Sequence, residues 1–133
     1  MADGSGLRRL PSMGGMTISN AAWSPDQRSV YVSTVASTNP VAHTIWKWTE
    51  GSNPEKLVEK CGYIYDAHPR DDYLLAIRTN GETPGIYEVD ISRRECIPLL
   101  LHVETSGAIF ARDGKSFFYA VSSGRQVLIY RQL

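Results

Sequence analysis

The sequence has few cysteines, no excess of either charge and no long apolar segment. Cys61 and Cys96 are the only two cysteines among 133 residues, too few for a disulfide framework or a cysteine metal site. Fourteen Lys and Arg balance fourteen Asp and Glu, so electrostatics favour neither nucleic acid nor an anionic membrane as a partner. No run approaches the roughly 20 apolar residues of a membrane-spanning helix. We therefore expect no nucleic-acid and no membrane partner.

The amino terminus has no apolar segment of the signal-peptide kind. The chain as written is therefore expected to be cytoplasmic. A larger parent that was membrane-anchored or periplasmic would carry its signal elsewhere, so the compartment stays open.

Motifs of catalysis are missing as well. No serine lies in a Gly-x-Ser-x-Gly segment, and Gly14-Gly15 has neither the spacing nor the lysine of a phosphate-binding loop. Asp66, Asp71 and Asp72 surround His68 without the alternating carboxylates of a calcium loop, so turn formation explains them better. We expect no enzyme activity, no metal and no cofactor.

What the sequence does contain is an internal repeat of about 43 residues. Trp23, Ala67 and Phe110 begin its three copies, at offsets of 44 and 43. A turn follows each of them, and then a strand of β-branched and aromatic residues. A later strand aligns in the same way at offsets of 41 and 43, through Ile45, Ile86 and Ile129.

Four short strands in each repeat of this length are typical of a β-propeller blade. The sequence predicts an all-β fold of three four-stranded antiparallel blades, which is half of a six-bladed β-propeller. The blades are predicted at 18–59, 62–101 and 106–133, and an additional outer strand at 7–10. Blade three would then end after its third strand and lack its own outer strand.

The repeat resembles that of the TolB-like six-bladed propeller family, which is similar to WD repeats in length. Residues 23–28 read Trp-Ser-Pro-Asp-Gln-Arg, close to the family pattern Trp-Ser-Pro-Asp-Gly-Arg, and Ile45-Trp46 follows as in the family. Residues 112–115, Arg-Asp-Gly-Lys, fit with Ile129-Tyr130, and residues 67–71 depart most. Segment 119–131 looks most like propellers linked to bacterial receptor-type serine/threonine kinases. Similar repeats occur as gating domains of prolyl-type peptidases.

Three blades leave two apolar blade faces and one strand edge without partners, whereas single-chain propellers have about four to eight blades. Two copies would give six blades, so we expect a homodimer. Residues 7–10 of each copy would complete blade three of the other and exchange strands. The predicted latch residues are Leu7, Arg8, Arg9, Leu10, Leu128, Ile129 and Tyr130.

Two predictions concern single side chains. Trp23, Trp46 and Trp48 are expected to pack between neighbouring sheets, with Trp48 the most exposed of the three. Cys61, near the start of the inner strand of blade two, and Cys96 on its outer strand would be three strand spacings apart, about 14 Å. A disulfide needs Cα atoms within about 7 Å, so we expect two free thiols.

Any binding site is expected at the mouth of the central channel, where propellers offer a concave surface. The candidate lining residues at this mouth are Met13, Met16, Asn20, His43, Tyr63 and Arg125. The function expected is a non-catalytic binding or scaffold module that binds an unknown protein or small ligand. The alternative is an accessory sensor or gating domain of a larger enzyme, a receptor-type kinase or a prolyl-type peptidase.

Overall fold

A computed structural model describes residues 15–36, 38–79, 83–123 and 126–132. Within these ranges every regular element is a β-strand, and no helix is long and apolar enough to cross a membrane. The strands are β1 (Met16–Trp23), β2 (Ser29–Ala36), β3 (Asn39–Thr49), β4 (Glu55–Glu59), β5 (Tyr63–Ala67), β6 (Tyr73–Arg78), β7 (Gly85–Asp90), β8 (Glu95–Leu101), β9 (Gly107–Phe110), β10 (Phe117–Ser123) and β11 (Gln126–Gln132).

The strands form three antiparallel sheets in chain order, which confirms the predicted fold class. Blade one is β1-β2-β3-β4, blade two is β5-β6-β7-β8, and blade three is β9-β10-β11. Each strand pairs with its neighbours along the chain, so every sheet is a meander. The predicted outer strand at 7–10 lies outside the described residues.

The turn after β1 shows why the Ser-Pro-Asp segment ends a strand. Ser24 Oγ donates a hydrogen bond to Asp26 Oδ1 at 2.6 Å and accepts one from the Ser29 N–H at 3.0 Å. Asp26 Oδ1 also accepts from the Arg28 N–H. The hydrogen bond from Ser24, followed by that from Arg28, lowers the pKa of the Asp26 carboxyl. Side chains therefore replace the backbone partners that the turn removes.

The core lies between blades rather than within one sheet. Between blades one and two, Tyr31 and Ile45 from the first pack with Leu74 and Val89 from the second. Between blades two and three, a second cluster contains Leu75, Ile77, Ile86, Ala108 and Phe117. Leu74 and Leu75 are consecutive on β6 and belong to different clusters, because successive side chains on a strand point to opposite faces.

The prediction of two free thiols is wrong. Cys61 and Cys96 form a disulfide, with Cα atoms 5.8 Å apart, and the described residues contain no free cysteine. The prediction placed Cys61 near the start of the inner strand of blade two and counted strand spacings across that one sheet. Cys61 instead lies in the connection from β4, the outer strand of blade one, to β5. Arg94, beside β8, donates to the Lys56 carbonyl at 3.0 Å, so the two outer strands approach each other across the blade boundary.

The predicted packing of the tryptophans between sheets is not found within one copy. Trp23 is 64% exposed, and Trp46 and Trp48 are only partly buried. Trp46 donates from Nε1 to Thr34 Oγ1 at 2.9 Å, whereas Trp48 Nε1 is buried and has no acceptor among the described residues. All three lie on the face of blade one that points away from blade two, as the pairing of β1, β2 and β3 shows.

Candidate functional site

The first strands of the three blades lie next to one another, and β5 contacts both β1 and β9. In a propeller these inner strands line the central channel. The candidate site is the end of the channel where β5 begins and where β2 turns into β3. Its side chains come from elements of different blades, so the site depends on the packing of the blades.

His43 and Tyr63 meet at this end. His43 lies on β3, opposite Val35 of β2, and Tyr63 is the first residue of β5. Their ring centroids are 5.4 Å apart at an interplanar angle of 50°, although the residues belong to different blades. Burial raises the pKa of the Tyr63 phenol above its ordinary value, so the hydroxyl stays protonated at neutral pH.

Tyr65 extends this pair toward blade three and was missed in the sequence analysis. Its ring centroid lies 6.3 Å from that of Tyr63, and its hydroxyl donates to the Ser106 carbonyl at 2.7 Å. Gly107 leaves room for the ring, since a Cβ there would lie 2.8 Å from the Tyr65 hydroxyl. Tyr65 is two residues after Tyr63 on β5, so alternation along a strand places the two rings on one face, and this spacing was the signal in the sequence.

The other predicted mouth residues are not part of this aromatic cluster. Met16 accepts a weak hydrogen bond at Sδ from Thr34 Oγ1 at 3.3 Å, on the face of blade one that also carries Trp46. Asn20 follows a bulge in β1, and its carbonyl accepts from Ser33 Oγ at 3.4 Å. Met13 and Arg125 lie outside the described residues.

The structure describes some of the predicted latch residues and not others. Leu7, Arg8, Arg9 and Leu10 lie outside the described residues. Leu128, Ile129 and Tyr130 are on β11, where every residue is exposed and where the described residues supply a neighbour on one side alone, β10. Tyr130 stacks on Tyr119 of β10 with centroids 5.2 Å apart.

His68 is the most engaged of the polar groups between blades two and three. Its Nδ1 accepts from the backbone N–H groups of Arg70 at 3.2 Å and Asp71 at 2.9 Å. Its Nε2 lies 3.1 Å from the Gly114 carbonyl, and because a carbonyl accepts, Nε2 carries the proton. Neither nitrogen is left for a substrate, so His68 is a structural contact between blades.

Asp66 makes a second polar contact across this boundary. It accepts from the Phe110 N–H of blade three at 2.8 Å and from its neighbour Ala67 at 2.9 Å. Burial raises the pKa of this carboxyl, and the two backbone hydrogen bonds oppose the shift. Oδ2 therefore connects blade two to blade three, whereas Oδ1 bonds within β5.

Chemically, the channel end offers aromatic faces, a tyrosine hydroxyl and an imidazole. These groups suit stacking and hydrogen bonding to a ligand. Among the described residues, no group of three His, Cys, Asp or Glu side chains is arranged to hold a metal ion.

No protein-family model matches the chain, and no curated protein matches it. Solved structures do match. TolB from Acinetobacter baumannii aligns with 86% of this chain at a TM-score of 0.69 and 22% identity. An oligogalacturonate lyase in complex with manganese aligns with 97% at a TM-score of 0.75 and 11% identity. A putative TolB from Agrobacterium tumefaciens aligns with 86% at a TM-score of 0.55 and 13% identity.

The chain spans only part of each of these proteins: 29% of the Acinetobacter TolB, 38% of the lyase and 57% of the Agrobacterium protein. At identities of 22% and below, the likeness concerns the fold and not the activity. The chain therefore has the fold of part of a TolB-like β-propeller.

Proposed function

We propose that this chain is a non-catalytic β-propeller module for binding or scaffolding, which assembles as a homodimer into a six-bladed ring. The observation that carries the proposal is the exposure of apolar side chains at both ends of the half-ring. Trp23 of blade one is 64% exposed and Ile129 of blade three is 73% exposed. Apolar patches of this kind mark interfaces in soluble proteins.

The edge of β11 supports the same assembly. Among the described residues β11 pairs with β10 alone, so the backbone groups on its other edge have no strand partner there. Such an edge favours addition of a strand from another chain. Residues 7–10 of a second copy, Leu-Arg-Arg-Leu, would supply that strand and give blade three its fourth. Each copy would donate one strand and receive one.

The binding role is assigned to the channel end with His43, Tyr63 and Tyr65. Tyr65 is partly exposed there, and the three rings are tilted against one another. In a ring of two copies, this cluster would occur twice around one channel, where a protein segment or a small ligand could stack. A non-catalytic role fits His68, whose two nitrogens both contact backbone groups.

Sedimentation equilibrium at micromolar concentration tests the proposal. We expect a mass of twice the 14.8 kDa of one copy. Deleting residues 1–10 should abolish the dimer, whereas deleting residues 1–6 should leave it intact, because the second deletion keeps the latch strand. A stable folded monomer of the full chain at this concentration contradicts the proposal.

A second candidate function is an accessory propeller domain of a larger enzyme, such as a receptor-type kinase or a prolyl-type peptidase. The lengths of the similar structures favour it, because this chain spans 29% and 38% of two of them. Further blades of one longer chain would then cover the same exposed faces. A folded monomer, together with an upstream reading frame that continues into a kinase or a hydrolase, would support this candidate over the first.

A further inference from the structure

We infer that the partner copy binds head to tail: the open face of blade one in one copy receives the open face of blade three in the other. This inference rests on the proposed homodimer and specifies which surfaces meet. It excludes a dimer in which a face of one copy contacts the same face of the other copy. The internal repeat provides the argument, because it makes two such contacts inside each chain.

The open face of blade one, called the head face, is defined by strand pairing. Trp23 is opposite Val30, Val30 is opposite Trp48, and Val32 is opposite Trp46, so these side chains share one face. Tyr31 lies between Val30 and Val32 on β2 and points the other way, into the cluster with blade two. The head face therefore carries all three tryptophans of the chain.

The open face of blade three, called the tail face, is defined in the same way. Phe118 is opposite Ile109, and Ala120 is opposite Ile129. Phe117 precedes Phe118 on β10 and packs against blade two, so Phe118 points away from blade two. Ile109 is 54% exposed and Ile129 is 73% exposed.

The repeat shows what these faces bind elsewhere in the chain. Ile129 is equivalent to Ile45 and Ile86, which are both 0% exposed because the next blade covers them. Trp23 is equivalent to Ala67 and Phe110, which pack against the preceding blade. The tail face therefore corresponds to the faces that the next blade covers. The head face corresponds to the faces that pack against the preceding blade.

Equivalent residues share the two internal clusters. Ile45 and Ala67 belong to the first cluster, and their equivalents Ile86 and Phe110 belong to the second. The next members of this series are Ile129 of one copy and Trp23 of the other, which we infer to share the interface between copies.

A second series behaves in the same way. Tyr31 and Leu74 belong to the first cluster, and Leu75 and Phe117 belong to the second. The series continues as Phe118 of one copy and Val30 of the other.

Head-to-tail contact closes with two copies. Each half-ring has one head and one tail face, so two copies make two identical interfaces and leave no face exposed. The resulting six blades lie within the usual range of about four to eight. A third copy would make nine blades.

The test uses two variants that damage different faces. Trp23→Lys alters the head face and Ile129→Asp alters the tail face, and Leu101→Asp is the matched control, since Leu101 is 41% exposed and lies on neither face. We expect each of the two variants alone to dimerise at least 100-fold more weakly than the parent, and Leu101→Asp to dimerise like the parent. Circular dichroism checks the fold, and Ile109→Asp replaces Ile129→Asp if the latter fails to fold.

Mixing the two variants gives the decisive result. A mixed dimer has one parental interface, and in the other the introduced carboxylate at position 129 faces the introduced ammonium at position 23. We therefore expect the equimolar mixture to recover the dimer, with one copy of each variant by native mass spectrometry. If either variant alone dimerises like the parent, or if the mixture stays monomeric while the parent is a dimer, the head-to-tail contact and the six-bladed ring are wrong, although a homodimer stands. A monomeric parent overturns both.

Discussion

Gly114 shows how closely blades two and three approach. It adopts a φ of 72°, and a Cβ built on it would lie 2.4 Å from Nε2 of His68, whose ring is buried between the blades. Gly51 has a similar φ of 81° but open space around its Cβ position. The two glycines therefore separate backbone strain from loss of the contact between blades.

We predict that Gly51→Ala lowers the free energy of unfolding by about 1 kcal/mol, through the positive φ alone. Gly114→Ala should lower it by at least about 1 kcal/mol more, because it displaces His68 from its buried hydrogen bonds. Urea denaturation of both variants measures the difference. Equal losses would mean that the His68 ring moves aside without consequence.

Glu88 gives a prediction about pH. Burial raises the pKa of its carboxyl above the ordinary 4.5. The folded state therefore binds more protons than the unfolded state in the pH range just above 4.5, so this group contributes less stability as the pH rises through that range. Glu88→Gln removes the buried charge and should make the protein more stable than the parent at pH 7.

The advantage of Glu88→Gln should shrink as the pH falls toward 4.5 and below, where the parent carboxyl is protonated too. Urea denaturation at a series of pH values measures it, with Glu104→Gln, at an exposed position, as the control. A difference from the parent that is the same at every pH would contradict this explanation.

For single residues, the sequence predicted local turns better than contacts between blades. The Ser-Pro-Asp turn was predictable because Ser24 and Asp26 bond within a few residues of themselves. The role of His68 was not predictable, because its acceptor Gly114 is 46 residues away in another blade. The same holds for the hydroxyl of Tyr65, which donates to the Ser106 carbonyl in another blade.

Among the elements, the connection between β4 and β5 is the one that the sequence described wrongly. Its disulfide from Cys61 to Cys96 on β8 closes a loop with a sequence separation of 35. Spacing between strands of one sheet could not reveal it, because the bond crosses from one blade to the next. Disulfides persist in oxidising compartments, so we expect this bond to form only where the chain is not kept reduced.

We predict that Cys61→Ala with Cys96→Ala lowers the free energy of unfolding by about 4 kcal/mol, because the unfolded chain regains the freedom that the closed loop removes. Denaturation with and without reductant measures the effect. Reductant should destabilise the parent by a similar amount and leave the double variant unchanged. A parent that is insensitive to reductant under unfolding conditions would show that the bond does not form.

For the whole molecule, the repeat made the architecture predictable. Each strand had two counterparts at offsets near 43, so a weak pattern in one blade was supported by the other two. The tryptophans were expected between sheets because large aromatic side chains on blades most often pack there. Among the described residues no blade precedes blade one, so Trp23 is not covered within one copy. The difference at this residue is thus the same observation that supports assembly.

Trp23 is also the natural reporter of that assembly. Trp46 and Trp48 are partly buried in one copy, whereas Trp23 is 64% exposed, so its indole changes environment most when a second copy binds. Burying the exposed part of a tryptophan contributes about 3 kcal/mol to association. We predict that dilution below the dissociation constant shifts the fluorescence emission to longer wavelength and increases quenching by acrylamide.

Trp23→Phe is the matched control for this signal, because the equivalent residue of blade three, Phe110, is a phenylalanine that packs against blade two. The variant should still dimerise, by sedimentation, while losing most of the fluorescence change on dilution. If it dimerises and keeps the full change, the signal comes from Trp46 or Trp48 and the site of contact lies deeper on the head face. If the parent shows no change across a dilution that sedimentation shows to dissociate it, the second copy does not cover the tryptophans, and the dimer closes through a different surface.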